Sequence, residues 1–429
     1  MVTGLGLVTP LGLAVQESWR KALAGVSGIG KLRLPGTACS PIQAVGAVSD
    51  EDWQAIVDQF RQEACAEGER RTLFALWAAR AALEDAAVLT LAAGSKRCGV
   101  VLAAGLGIYL PEDIHRWTLA DGTFDLVRFG REYADVRRES MIRNPSHRAA
   151  ALVARKFGLL GLNATVTSAC ASATQALGVA FRAIQRGESD VVVAGGSDSM
   201  INPVGLVGFA LLQAAATDPA NPATVCRPFD RRRSGLIIGE GAGVVVLEEK
   251  KHALERGARI YTEMAGYASS MDAYQVTAPH PQGLGAVLCM RGALKDAGLD
   301  PAQVDYINAH GTGTKLNDAT ETLAIKEVFG AAAYEVAISS SKSLIGHLMA
   351  AAGGPEFVFS VLSVYTDEIH PTINLTQRDP KCDLDYVANV KRSRVVRAAL
   401  SNSFGFGGQN ACVAVKKYAG AEPAVSSAV

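Results

Sequence analysis

The segments CGVVLAAG (98–105), DVVVAGG (190–196) and GAGVVVLEE (241–249) are apolar at consecutive positions. A strand built from any of them has no polar face to offer water, so the sheet it joins must be covered on both sides. The stretches between such runs supply the cover. ALVARKFGLLG (151–161) and TQALGVAFRAIQRG (174–187) have helical spacing and end at glycine, and in the second Ala176, Ala180 and Ile184 follow one another at i+4. Strands of this kind alternating with helices predict an α/β architecture with covered sheets.

The pattern also repeats. ARAALEDAAV (79–88) resembles MRGALKDAGL (290–299), with Ala-Leu, Asp and Ala in register, and each is followed by a strand-like run, GVVLAAG in one case and VDYINAH in the other. A chain of 429 residues is long enough for two such units. The reading is a duplicated fold with halves at 1–250 and 251–415 and a small, polar, frayed tail over 416–429.

Charge narrows the class of partner. Lys plus Arg and Asp plus Glu are 42 each, which argues against bulk binding to nucleic acid or an anionic membrane and leaves room for a local basic docking patch. The 8 cysteines are scattered with no CxxC or zinc-ligand spacing, as expected of reduced thiols. The start, MVTGLGLVTPLG, reads as a strand entering a turn, without a basic leader or an apolar span of membrane length. The expectation is a cytoplasmic protein with no membrane insertion.

Three constellations carry possible chemistry. Cys170, in TVTSACASATQAL, follows a short β-prone stretch, precedes a helix and has neighbours no larger than a hydroxyl or a methyl. It is either an inert buried thiol or a reachable nucleophile whose thiolate a helix N-terminus would favour. His310 in INAHGTGTKLND and His347 in ISSSKSLIGHLMAAAGG both fall in loops at strand ends, where α/β folds bind ligands. Two neutral imidazoles beside a thiol can donate N–H bonds to a carbonyl oxygen as it becomes anionic. A metal site is the rival reading, but neither HExxH nor a Cys pair is present, so no metal is expected. In SNSFGFGGQNA (401–411), Phe404 and Phe406 alternate with glycine, as a gate over the thiol or as core packing. The segment CRPFDRRRSGLIIGEGAG (226–243) lacks GxGxxG and GxxxxGK[ST], so nucleotide binding has no support, and Arg231, Arg232 and Arg233 are a solvated turn or contacts to an acidic partner.

Taken in order, TSACAS around Cys170, RPFD…GEGAG from 227, DAYQVTAPHPQG from 272, NAHGTGT around His310, SSSKSLIGH with Lys342 and His347, PTINL at 371 and SNSFGFGG at 401 resemble a β-ketoacyl-acyl carrier protein synthase of the elongating, KAS II type. The resemblance covers nearly the whole chain. It implies the duplicated thiolase-like fold, layered αβαβα, working as a dimer. It makes Cys170 the acyl-accepting nucleophile, His310 and His347 the histidines that assist decarboxylation of a malonyl thioester, and Lys342 the lysine that orders them. Glu356 and Asp318 become supporting acids. Ile108 is placed at the far end of an acyl tunnel, and Phe404 and Phe406 at its gate.

The same resemblance implies no bound cofactor, a substrate carried on the phosphopantetheine of acyl carrier protein, and a homodimer. The alternative it leaves is a type II polyketide or polyene ketosynthase paired with a homologous chain-length subunit. A Cys–His–His set separates the chain from initiating synthases, which pair Cys with His and Asn, and from thiolases, which use a second cysteine.

Overall fold

The computed structural model describes residues 1–37, 39–107, 115–137, 139, 145–217 and 221–420. The three apolar runs form strands Cys98–Ala104, Val191–Ser199 and Ile238–Glu248, every residue of them buried. The two helical stretches form helices Arg148–Phe157 and Ser172–Gln185, the first stopped by Gly158 at φ 67.

Ten strands of the main sheet run as two sets of five that meet where Val2 pairs with Thr262. From that seam, the first set reads Val2–Val8, Ile238–Glu248, Val191–Ser199, Cys98–Ala104 and Asn163–Val166. The second reads Thr262–Met271, Gln409–Lys417, Ala398–Gly405, Tyr306–Asn308 and Ala337–Ser339. Counted along the chain, both sets have the order first, fifth, fourth, second, third. Both also share the directions: antiparallel across the first two pairings and parallel across the last two.

The sequence echo lies on equivalent helices, Arg70–Asp85 and Leu284–Ala297, and has a physical cause. A Cβ on Gly4 would lie 2.1 Å from the Ala82 carbonyl oxygen, and one on Gly266 would lie 2.4 Å from that of Ala293. Helix backbone therefore rests directly on strand backbone at one glycine in each half. One residue on, Asp85 accepts the Leu5 N–H at 2.9 Å and Asp296 accepts the Tyr267 N–H at 2.9 Å. The recurring Ala and Asp are the contact that docks each outer helix on the first strand of its half.

Three apolar cores give the layers. The central one joins Ala173, Ala176 and Leu177 to Phe357, Val358 and Val361, so helices Ser172–Gln185 and Gly353–Thr366 lie between the two strand sets. Leu73, Phe74 and Leu76 with Leu152 and Val153 form an outer core on the first half. Met290, Ala293 and Leu294 with Ala324 and Ile325 form the other. The order is helix, sheet, helix, sheet, helix, which is the expected duplicated α/β fold. The strand Gln409–Lys417 carries the second half past the expected limit at 415 and into the stretch read as a frayed tail. Among the described residues, no helix is long and apolar enough to cross a membrane.

Candidate active site

Each reactive side chain stands just beyond the C-terminal end of a parallel strand, where the ends of neighbouring strands converge. Cys170 follows Asn163–Val166 and stands two residues before the helix Ser172–Gln185. Ala169 before it has φ 48, unusual for a residue with a side chain. Ser172 holds that turn, accepting the Ser168 N–H at 2.7 Å and donating to the Ala169 carbonyl at 2.6 Å. His310 follows Tyr306–Asn308, and His347 follows Ala337–Ser339 and the short helix Lys342–Ile345.

The sulfur of Cys170 and a ring nitrogen from each histidine lie within 4.8 Å of one another. Their positions open on a cavity of about 490 Å³ that Phe404, Gly405 and Phe406 also line. The Phe406 backbone N–H favours the thiolate of Cys170, and the Phe404 ring lies 5.8 Å from that of His310. The loop comes this close because residue 405 is glycine: a Cβ there would sit 3.1 Å from the Cys170 nitrogen.

Proton positions follow from the partners. His347 Nδ1 accepts the Met349 N–H at 3.1 Å, so its proton is on Nε2, which is buried and has no partner among the described residues. Lys342 Nζ lies 3.3 Å from His310 Nδ1 and also donates to Glu356. With a donor at Nδ1, His310 too carries its proton on Nε2. Burial, reinforced by Lys342, holds both histidines well below the usual imidazole range. Both rings are therefore neutral donors.

These tautomers do not fit a metal. Cys and two His are suitable ligand types, but a cation needs the Nε2 lone pair, and the Met349 N–H keeps the proton of His347 on that nitrogen.

Burial pushes the Cys170 thiol up to about 11, against Lys342 and the Phe406 N–H, which lower it. The thiolate expected from a helix N-terminus is therefore not the resting form, because desolvation outweighs these favourable groups. Glu356 is likewise pushed up to about 7 by burial, despite its pairing with Lys342.

Asp318 lies beneath the His310 loop, accepting the Phe229 N–H at 2.8 Å and the Gly313 N–H at 3.2 Å. Arg233 fits neither reading made for the arginine run. It is buried, approaches Asp318 at 3.5 Å and pairs with Asp379 at 2.5 Å. Ile108 lies outside the described residues.

One buried acid beside the site escaped the sequence reading. Glu321 accepts the His310 N–H at 2.9 Å and the Gly311 N–H at 2.8 Å, and so holds the backbone that carries the imidazole. Its signal was available: it stands three residues after Asp318, on the same face of the helix Lys315–Phe329.

The family described as β-ketoacyl synthase, N-terminal domain, matches residues 1–253, and its C-terminal domain counterpart matches 261–376. The chain belongs to the β-ketoacyl synthase family. This synthase is 41% identical over 419 residues to the 3-oxoacyl-[acyl-carrier-protein] synthase 2 of Synechocystis sp., covering 97% of this chain and 98% of that one. It is 37% identical to the protein of the same name from Staphylococcus aureus, over 97% of this chain and 98% of that one.

Among solved structures, it superposes with a TM-score of 0.87 and 34% identity on a type II polyketide ketosynthase, bound to the hexaketide and in complex with its acyl-carrier protein. It also superposes on the ishigamide ketosynthase/chain length factor, with a TM-score of 0.83 and 31% identity. Both superpositions cover 97% of this chain and 98% of the other.

Proposed function

We propose that this synthase catalyses the decarboxylative Claisen condensation of an acyl-enzyme thioester with malonyl-acyl carrier protein, as in fatty acid elongation. The observation that carries the reading is the buried Cys170 thiol within 4.8 Å of two neutral histidines, with the His347 Nε2–H facing no acceptor among the described residues.

In the first half-reaction, the Cys170 sulfur forms a bond to the acyl carbon delivered on the carrier's phosphopantetheine. The carbon–sulfur bond to the carrier breaks, and the proton of the neutral thiol ends on the departing carrier thiol. The Phe406 N–H is placed to stabilise the oxygen of the tetrahedral intermediate. In the second, a malonyl thioester loses CO₂, and the electron pair of the broken carbon–carbon bond moves into an enolate whose oxygen accepts from His310 and His347 Nε2–H. The enolate carbon attacks the acyl-cysteine carbonyl, the Cys170 thiolate leaves and takes a proton from solvent, and a β-ketoacyl-carrier two carbons longer departs. Covalent catalysis divides the bond formation into these two steps. As written, the reaction calls on no resident metal or organic cofactor.

Lys342 and Glu356 set the tautomer of His310, while Asp318 and Glu321 support its loop. Phe406 is the gate: it stands between Gly405 and Gly407, whose φ of 80 gives the loop a hinge free of a side chain. Acyl carrier protein is the partner this chemistry requires, and the chain works in the cytoplasm as a dimer. Its two halves, divided near residue 250 with the second reaching Lys417, are repeats of one unit, a division supported by the matching strand orders.

A type II polyketide or polyene pathway is the second reading. It is favoured by the structural likeness to the ketosynthase/chain length factor and to the carrier-bound ketosynthase. Under it, the second subunit is a homologous chain rather than a copy. Incubation of the purified chain with acyl- and malonyl-acyl carrier proteins, followed by mass analysis of the carrier, tests the activity. A β-ketoacyl product with release of one CO₂ is expected, and its absence at every acyl length offered contradicts the reading.

A further inference from the structure

A buried carboxylate that takes no part in the steps above lies on the far side of the His347 turn. Asp198, 1% exposed, is near the end of the strand Val191–Ser199 in the first half of the fold. Its Oδ1 accepts the Ser199 N–H at 2.9 Å, and its Oδ2 accepts the Ala350 N–H at 3.0 Å. The second bond crosses from one half to the other.

Ala350 adjoins Met349, whose own N–H is the donor to His347 Nδ1. Met349 has φ 49, a left-handed conformation that a residue with a side chain adopts only when its surroundings impose it. Two successive N–H groups thus diverge: one enters the imidazole and the other the Asp198 carboxylate. On its other flank, His347 is held by the same half of the fold, donating its N–H to Ile237 at 2.7 Å and accepting from Gly239 at 2.8 Å.

The carboxylate is fixed in turn. A Cβ on Gly105 would lie 2.4 Å from Oδ2, so the neighbouring backbone closes over it. The buried Arg71 acts on its charge, and donates to the Gly105 and Leu106 carbonyls at 3.2 and 2.8 Å. A buried anion is costly unless its hydrogen bonds need it, and here both oxygens receive backbone N–H groups, which an amide could not match.

We propose that Asp198 is a positioning residue for His347. By gripping the Ala350 N–H it fixes the left-handed turn at Met349, and with it the N–H that keeps the His347 proton on Nε2 and directed at the enolate oxygen. The inference rests on the reading of His347 as an enolate-stabilising donor.

Asp198→Asn keeps the side-chain shape but turns an NH₂ toward one of the two N–H donors. The test measures acyl loading of Cys170 and malonyl decarboxylation separately in Asp198→Asn, His347→Ala and the double variant. Decarboxylation in Asp198→Asn should fall by about 10- to 100-fold, short of the loss of a whole oxyanion donor, with loading within about threefold of the unaltered chain. The double variant should decarboxylate no more slowly than His347→Ala alone, because the two changes remove one function. Nitrogen-15 shifts of the histidines should show a lost preference for the Nε2–H form of His347.

Equal losses in both half-reactions, or losses that multiply in the double variant, overturn the inference. Asp198→Ser shortens the side chain without reversing one end, is expected to give the same split, and keeps the test decisive if the amide prevents folding. If His347→Ala itself spares decarboxylation, it is the reading of His347 that fails. If that variant is impaired and Asp198→Asn is not, only the positioning role fails.

Discussion

The imidazole Nδ1 of His347 and the backbone nitrogen of Met349, 3.1 Å apart, fix the proton of His347 on Nε2. Lys342 does the same for His310 at 3.3 Å. Both rings offer an N–H to the cavity, and neither is charged. In the proposed reaction the charge they stabilise arises only when CO₂ leaves, so the two half-reactions should respond differently to their loss. His310→Ala and His347→Ala are each expected to lower malonyl decarboxylation by about 10²–10³-fold, with acyl transfer to Cys170 much less affected. Separate assays of the two steps check this, and equal losses would assign the histidines a structural role.

Lys342 and Glu356 form a pair with side chains 1% and 2% exposed. Removing one member leaves the other buried without its counter-charge, which typically costs about 3–5 kcal/mol. Lys342→Met should therefore lower the free energy of unfolding in urea by that order. Lys342→Met combined with Glu356→Leu should recover most of the stability without restoring decarboxylation, because His310 Nδ1 still lacks its donor. Recovery of both would show that the pair matters only for folding.

Gly405 separates the loop from Cys170 by less than a methyl group allows. In Gly405→Ala the new Cβ meets the Cys170 nitrogen at 3.1 Å and the Ala171 nitrogen at 3.3 Å, so the loop must retreat by a few tenths of an ångström. The φ of −105 is open to alanine, so the fold should persist. Loading of Cys170 should slow by about tenfold, given how steeply rates depend on ångström-scale placement. An unchanged loading rate would remove the Phe406 N–H from the mechanism.

How much of this could be read from sequence depends on the range of the interaction. The apolar runs and the Ala-Leu-Asp echo are local patterns set by burial, and they gave the strands, the α/β class and the duplication. Cys170, His310 and His347 were legible because each stands in a loop of small residues at a strand end. Asp198 was not, because its hydrogen-bond donors are backbone N–H groups, which leave no mark in a sequence, whereas Glu321 was marked only by its place one helical turn after Asp318. Arg233 was misread for a similar reason: a run of three arginines looks solvated until Asp318 and Asp379, far along the chain, are brought to one of them.

The buried neutral histidines each contribute stability that is lost in acid. Burial lowers His370 from 6.5 to about 4, and it lowers His310 and His347 well below the ordinary value. In the unfolded chain these groups take up protons near pH 6.5, while in the folded chain they do so only at lower pH. The stability present above pH 6.5 is therefore lost as the pH falls from there toward 4. His370 alone accounts for roughly 3 kcal/mol over that window, from about 1.4 kcal/mol per unit. Burial raises Glu321 and Glu356 to about 7 and Asp198 to about 6, and these acids shift stability in the opposite sense over the same range. The test is therefore a comparison with His370→Gln. Between pH 7.5 and 4.5 the urea midpoint of the unaltered chain should lose ground relative to the variant, and parallel profiles would contradict the neutral, buried state of His370.

In the proposed reaction Cys170 carries the growing chain. Incubation with an acyl-acyl carrier protein, intact-mass measurement and peptide mapping test it most directly. A single acyl group per chain is expected, on the peptide containing Cys170, and none on Cys170→Ala. An acyl group on another residue, or undiminished acylation of Cys170→Ala, would contradict it.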